Sequence, residues 1–121
     1  RKWEKWSGKP IMITEFYAKG EDSGLPNATG GGWLVRTQGD RGIFYENFVN
    51  ELIKSKVCVG WHWFKYMDND PTDLKTDPSN RDSNKGVVAW DFKRYDPLLA
   101  HMKRMNSHVY GLAGFYEKYY D

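Results

Sequence analysis

The sequence has 121 residues, 40% of them hydrophobic and 28% charged, which fits one globular domain and excludes a chain of two. Its 18 Lys and Arg against 16 Asp and Glu give a net charge of +2 without a dense basic block, so we expect no nucleic acid partner. No run of about 18 apolar residues is present, so we expect no membrane partner either.

The chain opens on a helix end and a strand. Residues 1–8 alternate charges with Trp, and Gly8 can take the left-handed conformation that ends a helix, so we predict the last turns of a helix here. A chain that begins within a helix is expected to be a piece of a longer protein. The apolar run 11–16 predicts a buried strand that carries Glu15 near its carboxyl end. Residues 17–38 are rich in Gly, Asn, Ser and Thr without a clear period, which predicts a functional loop.

A second pair of elements follows. Apolar residues recur at helical spacing over 40–56, and the run 57–64 suits a strand that is covered on both faces, as strands of parallel sheets are. Together with the first strand, these elements predict a βαβ unit. The single cysteine, Cys58, lies in this second strand and cannot form an internal disulfide.

The last third of the chain is a loop followed by a helix. Residues 67–86 are polar and turn-forming, and 87–90 suit a short extended piece. Asp96 and Pro97 read as a capping side chain and a first helical residue, and an apolar stripe continues the helix to about Tyr116.

The lengths of the connections between helices and strands indicate the fold class. Both long loops follow strands, whereas the joins from helix to strand are short, and this asymmetry is typical of a βα-barrel whose active site is built from loops at the carboxyl ends of its strands. We therefore predict an α/β fold that is a portion of a (β/α)8 TIM barrel. Two βα units are a quarter of such a barrel.

Glu15 is the sharpest candidate for chemistry. A carboxylate at the carboxyl end of a barrel strand points at the reacting centre, and a glycosidase needs one there as nucleophile. The alternative is a buried Glu that pairs with Lys or Arg.

Aromatic residues make up 17% of the chain and include six Trp. Such rings suit a core of large side chains or a cleft that stacks on sugar rings, and both interpretations stay open. Alternation along the second strand puts Trp61 and Trp63 on one face and His62 on the other. His62 lacks a partner at metal-ligand spacing, so we predict a structural histidine and no metal site.

Two loop motifs are weak evidence for function. Gly30–Gly32 is not followed by the Lys and Ser or Thr of a phosphate-binding loop, so we interpret it as a flexible loop. Asn27-Ala28-Thr29 is a glycosylation sequon, a pattern that arises often by chance.

Two longer segments carry a resemblance. With Gly8–Tyr17 (GKPIMITEFY) and Val59–Asp70 (VGWHWFKYMDND) both in view, the chain resembles the C-terminal part of the β-agarases of glycoside hydrolase family 50. The likeness extends over nearly the whole chain, through Lys19–Gly24, Arg36–Gln38, Asp40–Gly42 and Ser79–Gly86.

The resemblance implies that residues 1–121 belong to a single catalytic (β/α)8 barrel of the large retaining-glycosidase clan and span strands seven and eight with their helices. It implies Glu15 as the nucleophile, and Trp61, Trp63 and Trp33 as residues that bind the substrate. The substrate would be agarose or its oligosaccharides, cut at the β-1,4 bond without a cofactor. A polymeric substrate implies an extracellular or periplasmic enzyme.

The resemblance also implies what is missing. The general acid/base of such enzymes sits on strand four, usually after an Asn, and the only Asn-Glu pair here, Asn50-Glu51, lies inside a predicted helix. A retaining mechanism needs two carboxyl groups about 5 to 5.5 Å apart. We therefore expect this chain to be inert alone and to need the remainder of the barrel as its partner.

Two alternatives remain. Another β-galactanase or β-galactosidase of the same clan would share the mechanism and differ in the sugar. A non-catalytic carbohydrate-binding module would be a β-sandwich, which the two amphipathic helices disfavour.

Overall fold

A computed structural model describes residues 2–120 as a mixed α/β fold. In chain order the elements are α1 (Lys2–Ser7), β1 (Ile11–Phe16), β2 (Ala18–Gly20), a 3-10 helix (Glu21–Ser23), β3 (Trp33–Val35), α2 (Gln38–Lys54), β4 (Cys58–Trp63) and α3 (Asp96–Tyr119).

The predicted βαβ unit is confirmed. β1 and β4 pair in parallel, and α2 connects them. The register places Ile13 beside Trp61 and Phe16 beside Trp63, so β1 has one more residue than β4 between these two pairs. Because the chain contains these helices, the alternative of a β-sandwich is wrong.

The apolar core lies between this two-stranded sheet and the helices. Leu98 of α3 and Val49 of α2 are both completely buried there, and the ring of Phe16 stacks on that of Phe48 at a centroid distance of 4.3 Å. The predicted apolar stripe of α3 marks its buried face correctly, whereas on α2 the predicted Ile43 is exposed and the buried Tyr45 and Val49 lie outside the predicted stripe. The buried cluster consists of Phe16, Tyr45, Val49, Ile53, Leu98, Met102, Met105 and Tyr116.

Helix ends follow local hydrogen bonding. Gly8 has φ of 63°, as expected for the residue that ends α1. α2 starts earlier than predicted because Thr37 and Asp40 form a reciprocal capping box. The predicted cap of α3 is wrong: Tyr95 is the N-cap residue, and the Asp96 carboxylate instead accepts from Arg94 at 2.7 Å.

The segment after β1 contains more regular structure than its composition predicts. β2 and β3 pair in parallel, with Lys19 beside Leu34, and β2 packs against α2. Three-residue strands are too short to show a period, which is why the sequence reads as a loop.

One face of the β1–β4 sheet is not covered by residues 2–120. The exposed side chains of Met12 and His62 alternate with neighbours that pack towards the helices. Strands of parallel sheets are normally covered on both faces.

Candidate active site at the carboxyl ends of the paired strands

Glu15 lies one residue before the end of β1, and its side chain is exposed. The Glu15 carboxylate takes part in none of the ion pairs or side-chain hydrogen bonds formed within residues 2–120. Within residues 2–120, Glu15 is therefore neither buried nor paired with a cation.

The backbone on either side of Glu15 is held in place. Upstream, Ile13 pairs with Trp61, and downstream the Phe64 N–H donates to the Phe16 carbonyl at 3.0 Å. The extra residue of β1 lies between these two points, and such irregularities change the direction in which a side chain points. The direction of Glu15 therefore depends on how firmly the chain is held just after it.

Trp61 and Trp63 lie on the helix side of β4, as the alternation predicted, and His62 is exposed between them. The indole N–H of Trp61 donates to the Tyr45 hydroxyl at 3.0 Å. That of Trp63 donates to the Lys85 carbonyl at 2.7 Å. Both rings are half-buried, so their sugar contacts stay a prediction.

Trp33 lies on β3, where it pairs with Ala18 of β2. Its side chain is 71% exposed, which leaves a large indole surface open to a ligand. The three predicted sugar-binding Trp residues are thus divided between two sheets, with Trp61 and Trp63 on β4 and Trp33 on β3.

A buried polar network joins the two long loops, and composition gave no sign of it. Its centre is Asp68, which is 1% exposed. One carboxylate oxygen accepts from the backbone N–H groups of Lys85 and Gly86, at 2.8 and 2.7 Å. The other accepts from the Asn84 amide at 2.8 Å and the Tyr95 hydroxyl at 2.7 Å. Burial, followed by the hydrogen bond to Asp68, raises the pKa of the Tyr95 hydroxyl.

Asn84 extends this network to the first loop. Its side-chain oxygen accepts from the Gly20 N–H at 3.1 Å and the Gln38 amide at 2.9 Å. The backbone N–H of Asn84 donates to the side-chain oxygen of Asn27 at 2.7 Å. The buried Asn27 amide group donates to the carbonyls of Gly20 and Leu25. The sequon asparagine is therefore occupied by internal hydrogen bonds, which opposes glycosylation of the folded protein.

Arg41 connects α2 to both loops and is completely buried. Its guanidinium donates to the carbonyls of Ala18 at 2.8 Å and Gly86 at 2.9 Å, and to the Gln38 side chain at 2.7 Å. It also lies over the ring of Trp63, 5.4 Å from the centroid. Burial lowers the pKa of Arg41 to about 10, so the group remains charged at neutral pH.

Two glycines of the run, Gly30 and Gly32, have close neighbours, and the flexibility of the loop stays a prediction. Gly32 has φ of 93°, and a Cβ there would lie 2.2 Å from the Tyr17 ring. Gly30 has φ of 73°, and its Cβ would meet the Ser79 carbonyl at 2.6 Å. Gly30 thus permits close packing of the two loops, and Gly32 permits close packing within the first loop.

Within residues 2–120 the structure contains no group of three or more His, Cys, Asp and Glu side chains that could hold a metal. None of the described helices is long and apolar enough to cross a membrane.

Comparisons with known proteins identify relatives, although no family model matches the chain. Beta-agarase B of Vibrio sp. strain JT0107 is 36% identical over 112 residues, which cover 91% of this chain and 11% of that protein. The crystal structure of BpGH50 aligns with a TM-score of 0.83 and 39% identity, covering 95% of this chain and 23% of that one. This chain is a homologue of the GH50 β-agarases.

Two further matches agree. Beta-agarase A of the same Vibrio strain is 31% identical over 108 residues, which cover 85% of this chain and 10% of that protein. A solved structure of an exo-β-agarase aligns with a TM-score of 0.76 and 26% identity, over 93% of this chain and 15% of that one. The chain spans about a tenth of the length of its curated β-agarase relatives.

Three other carboxylates near the strand ends of this GH50 homologue are engaged, whereas Glu21, directly after β2, is exposed and forms none of the ion pairs within residues 2–120. Asp68 is buried and accepts the hydrogen bonds described above. Asp22 accepts from the backbone and side chain of Gln38, at 3.0 and 2.9 Å. Asp70 accepts from Thr72 two residues on. Glu15 differs from all three because its oxygens are exposed and not engaged by residues 2–120.

Proposed function

We propose that this chain forms the C-terminal part of the (β/α)8 catalytic barrel of a β-agarase, with Glu15 as the nucleophile of a retaining mechanism. The observation that carries the proposal is the exposed, unengaged Glu15 carboxylate at the carboxyl end of a parallel strand, where barrel enzymes hold their catalytic groups. Homology to β-agarases gives the reaction class.

The sheet supports the barrel assignment. β1, α2 and β4 form a parallel βαβ unit, both long loops leave the carboxyl ends of strands, and the face that carries Met12 and His62 is open. In a closed barrel, side chains from the other strands would cover that face and the strand edges. We propose that the remainder of the barrel, from elsewhere in the longer protein, does so.

The chemistry proceeds in two displacements. A Glu15 oxygen attacks the anomeric carbon as the bond to the leaving oxygen breaks, and a second carboxyl group donates a proton to that oxygen. Water, deprotonated by the same second group, then displaces Glu15, so the configuration is retained. The resemblance puts the second group on strand four, so we propose that it lies outside this chain and that the chain alone is inert. Asp22 and Asp68 are engaged in hydrogen bonds, and Glu21 is the exposed carboxylate within the chain that the test must exclude.

Agarose or its oligosaccharides are the proposed substrate, cut at the β-1,4 bond. The support is the naming of both curated relatives as β-agarases. Among the predicted sugar-binding residues, Trp33 offers the most ring surface, since Trp61 and Trp63 are half-buried. A polymeric substrate favours an extracellular or periplasmic enzyme.

The test uses the full-length protein that contains this chain. Glu15→Gln should abolish release of reducing sugar from agarose while binding to agarose persists, because the amide cannot attack the anomeric carbon. Glu15→Gly with added azide should regain turnover and yield a glycosyl azide of inverted configuration. Glu51→Gln is the matched control, because Glu51 is exposed on α2.

Three results would count against parts of the proposal. Normal turnover by Glu15→Gln would reject the nucleophile. Hydrolysis of porphyran or a chromogenic galactoside in preference to agarose would change the substrate. Activity of the isolated chain would show that the second carboxyl group lies within it.

A further inference from the structure

We propose that Arg41 is a positioning residue for Glu15, acting through the backbone that leaves β1. The inference rests on the proposed function of Glu15 and adds a requirement that the reaction class alone does not give. Arg41 donates to the carbonyl of Ala18, three residues after Glu15, and it stacks on Trp63 at the end of the neighbouring strand. One side chain of α2 thus contacts both the first residue of β2, just after β1 ends, and the last residue of β4.

The register of the sheet explains why Glu15 needs such support. Between the pair Ile13 with Trp61 and the pair Phe16 with Trp63, β1 contains an extra residue, and Glu15 lies in that stretch. An extra residue leaves part of a strand without regular ladder bonds, so its side chains are aimed by what holds the flanks. The downstream flank is held by the Phe64 N–H on the Phe16 carbonyl and by Arg41 on the Ala18 carbonyl.

The chemistry of the Arg41 site also favours a geometric role. A completely buried cation is costly, and none of the ion pairs within residues 2–120 includes Arg41. Its N–H groups instead reach the carbonyls of Ala18 and Gly86 and the side chain of Gln38, which belong to separate segments. An apolar residue could fill this space, but it would not fix the relative positions of those segments.

The kinetic expectation is a loss in the chemical step. In the full-length protein, Arg41→Met should lower kcat about 10- to 100-fold, because small displacements of a reacting group cost up to about 100-fold. KM should change less than about threefold, because no contact between Arg41 and substrate is proposed. Arg41→Lys keeps the charge but cannot make all three bonds at once, and we expect an intermediate kcat.

A double-mutant comparison separates positioning from general damage to the fold. In Glu15→Gly, azide supplies the nucleophile and no longer depends on where residue 15 points. Adding Arg41→Met or Arg41→Lys to this background should therefore lower azide-rescued turnover by less than about threefold. Arg104→Met, on an exposed part of α3, is the matched control and should leave turnover unchanged in both backgrounds.

The outcomes distinguish the two proposals. If the Arg41 variants lower wild-type and azide-rescued turnover equally, or unfold both proteins, the positioning role is wrong while the nucleophile assignment stands. If Glu15→Gly is fully active without azide, the nucleophile assignment is wrong, and the positioning role is rejected with it. A large loss of turnover that occurs only when Glu15 is intact, and not in the azide-rescued Glu15→Gly protein, supports both the nucleophile assignment and the positioning role.

Discussion

Two buried regions of this molecule differ in the side chains that form them: one is apolar and the other is polar. The layer between the β1–β4 sheet and the helices consists of apolar side chains such as Leu98 and Val49, which are completely buried. The layer between the two long loops is buried as deeply, but it consists of Asp68, Asn84 and Arg41. The first region holds the helices on the sheet, and the second holds the loops at the carboxyl ends of the strands.

The two layers should respond differently to substitution. Apolar contacts are individually weak and non-directional, so a core tolerates side chains of similar volume. Buried hydrogen bonds are directional, and a donor or acceptor that loses its partner costs about 1 to 3 kcal/mol. Geometry at the candidate active site therefore depends on the less tolerant of the two regions.

Near-isosteric substitutions provide the sharpest contrast and the largest effect. In the full-length protein, Asp68→Asn should destabilise by about 3 to 5 kcal/mol, because the new amide group faces N–H donors that the carboxylate now accepts. Leu98→Met in the apolar layer should cost less than about 1.5 kcal/mol. Urea unfolding, followed by tryptophan fluorescence, measures both.

Asp70→Ala serves as the control for removal of a loop carboxylate, because within residues 2–120 the Asp70 carboxylate accepts hydrogen bonds from Thr72 alone, two residues away in the chain. Its unfolding midpoint should stay close to that of the wild type. Equal costs for Asp68→Asn and Leu98→Met would contradict the contrast between the layers.

The apolar layer was predictable from sequence, and the polar layer was not. Helical spacing over α3 and the apolar runs of β1 and β4 identify buried faces, because burial leaves a periodic pattern in the chain. Asp68, Asn84 and Asn27 leave no such pattern. Each reads as a turn former, and only contacts between distant segments, such as Asn84 with Asn27, bury them.

The candidate site was predictable in part. The position of Glu15 at the end of a strand follows from the apolar run before it. Its exposure and the extra residue of β1 do not, because pairing register depends on a strand more than 40 residues away. Arg41 was noticed only as part of the resemblance, since a charged residue in a helix is normally solvated.

Two glycines test how tightly the first long loop packs on itself, with a smaller expected effect. Gly32→Ala should destabilise by about 2 to 3 kcal/mol, because it combines a positive φ with a Cβ only 2.2 Å from the Tyr17 ring. Gly24→Ala is the matched control: its φ is 79°, but no atom lies within 4 Å of its Cβ, so we expect about 1 kcal/mol. Thermal denaturation compares the two, and equal shifts in Tm would show that the loop is not packed against Tyr17.

Acid sensitivity should be the smallest difference between the layers, and Asp82 its clearest source. Asp82 joins the loops by accepting from the backbone N–H groups of Thr29 at 2.9 Å and Ala28 at 3.1 Å. Partial burial acts to raise the pKa of Asp82, but the hydrogen bonds from Thr29 and Ala28 outweigh it, and the net pKa is lowered.

The sign of the acid effect follows from that lowered pKa. A carboxyl group with a lower pKa in the folded than in the unfolded state contributes stability above about pH 4, and this contribution is lost as pH falls through the folded pKa. Asp82→Asn removes the titration but keeps an acceptor oxygen, so its stability should decline less steeply than the wild type's below about pH 4. Urea midpoints measured from pH 6 down to pH 3 compare the two profiles, and parallel profiles would show that Asp82 does not couple the loops to pH.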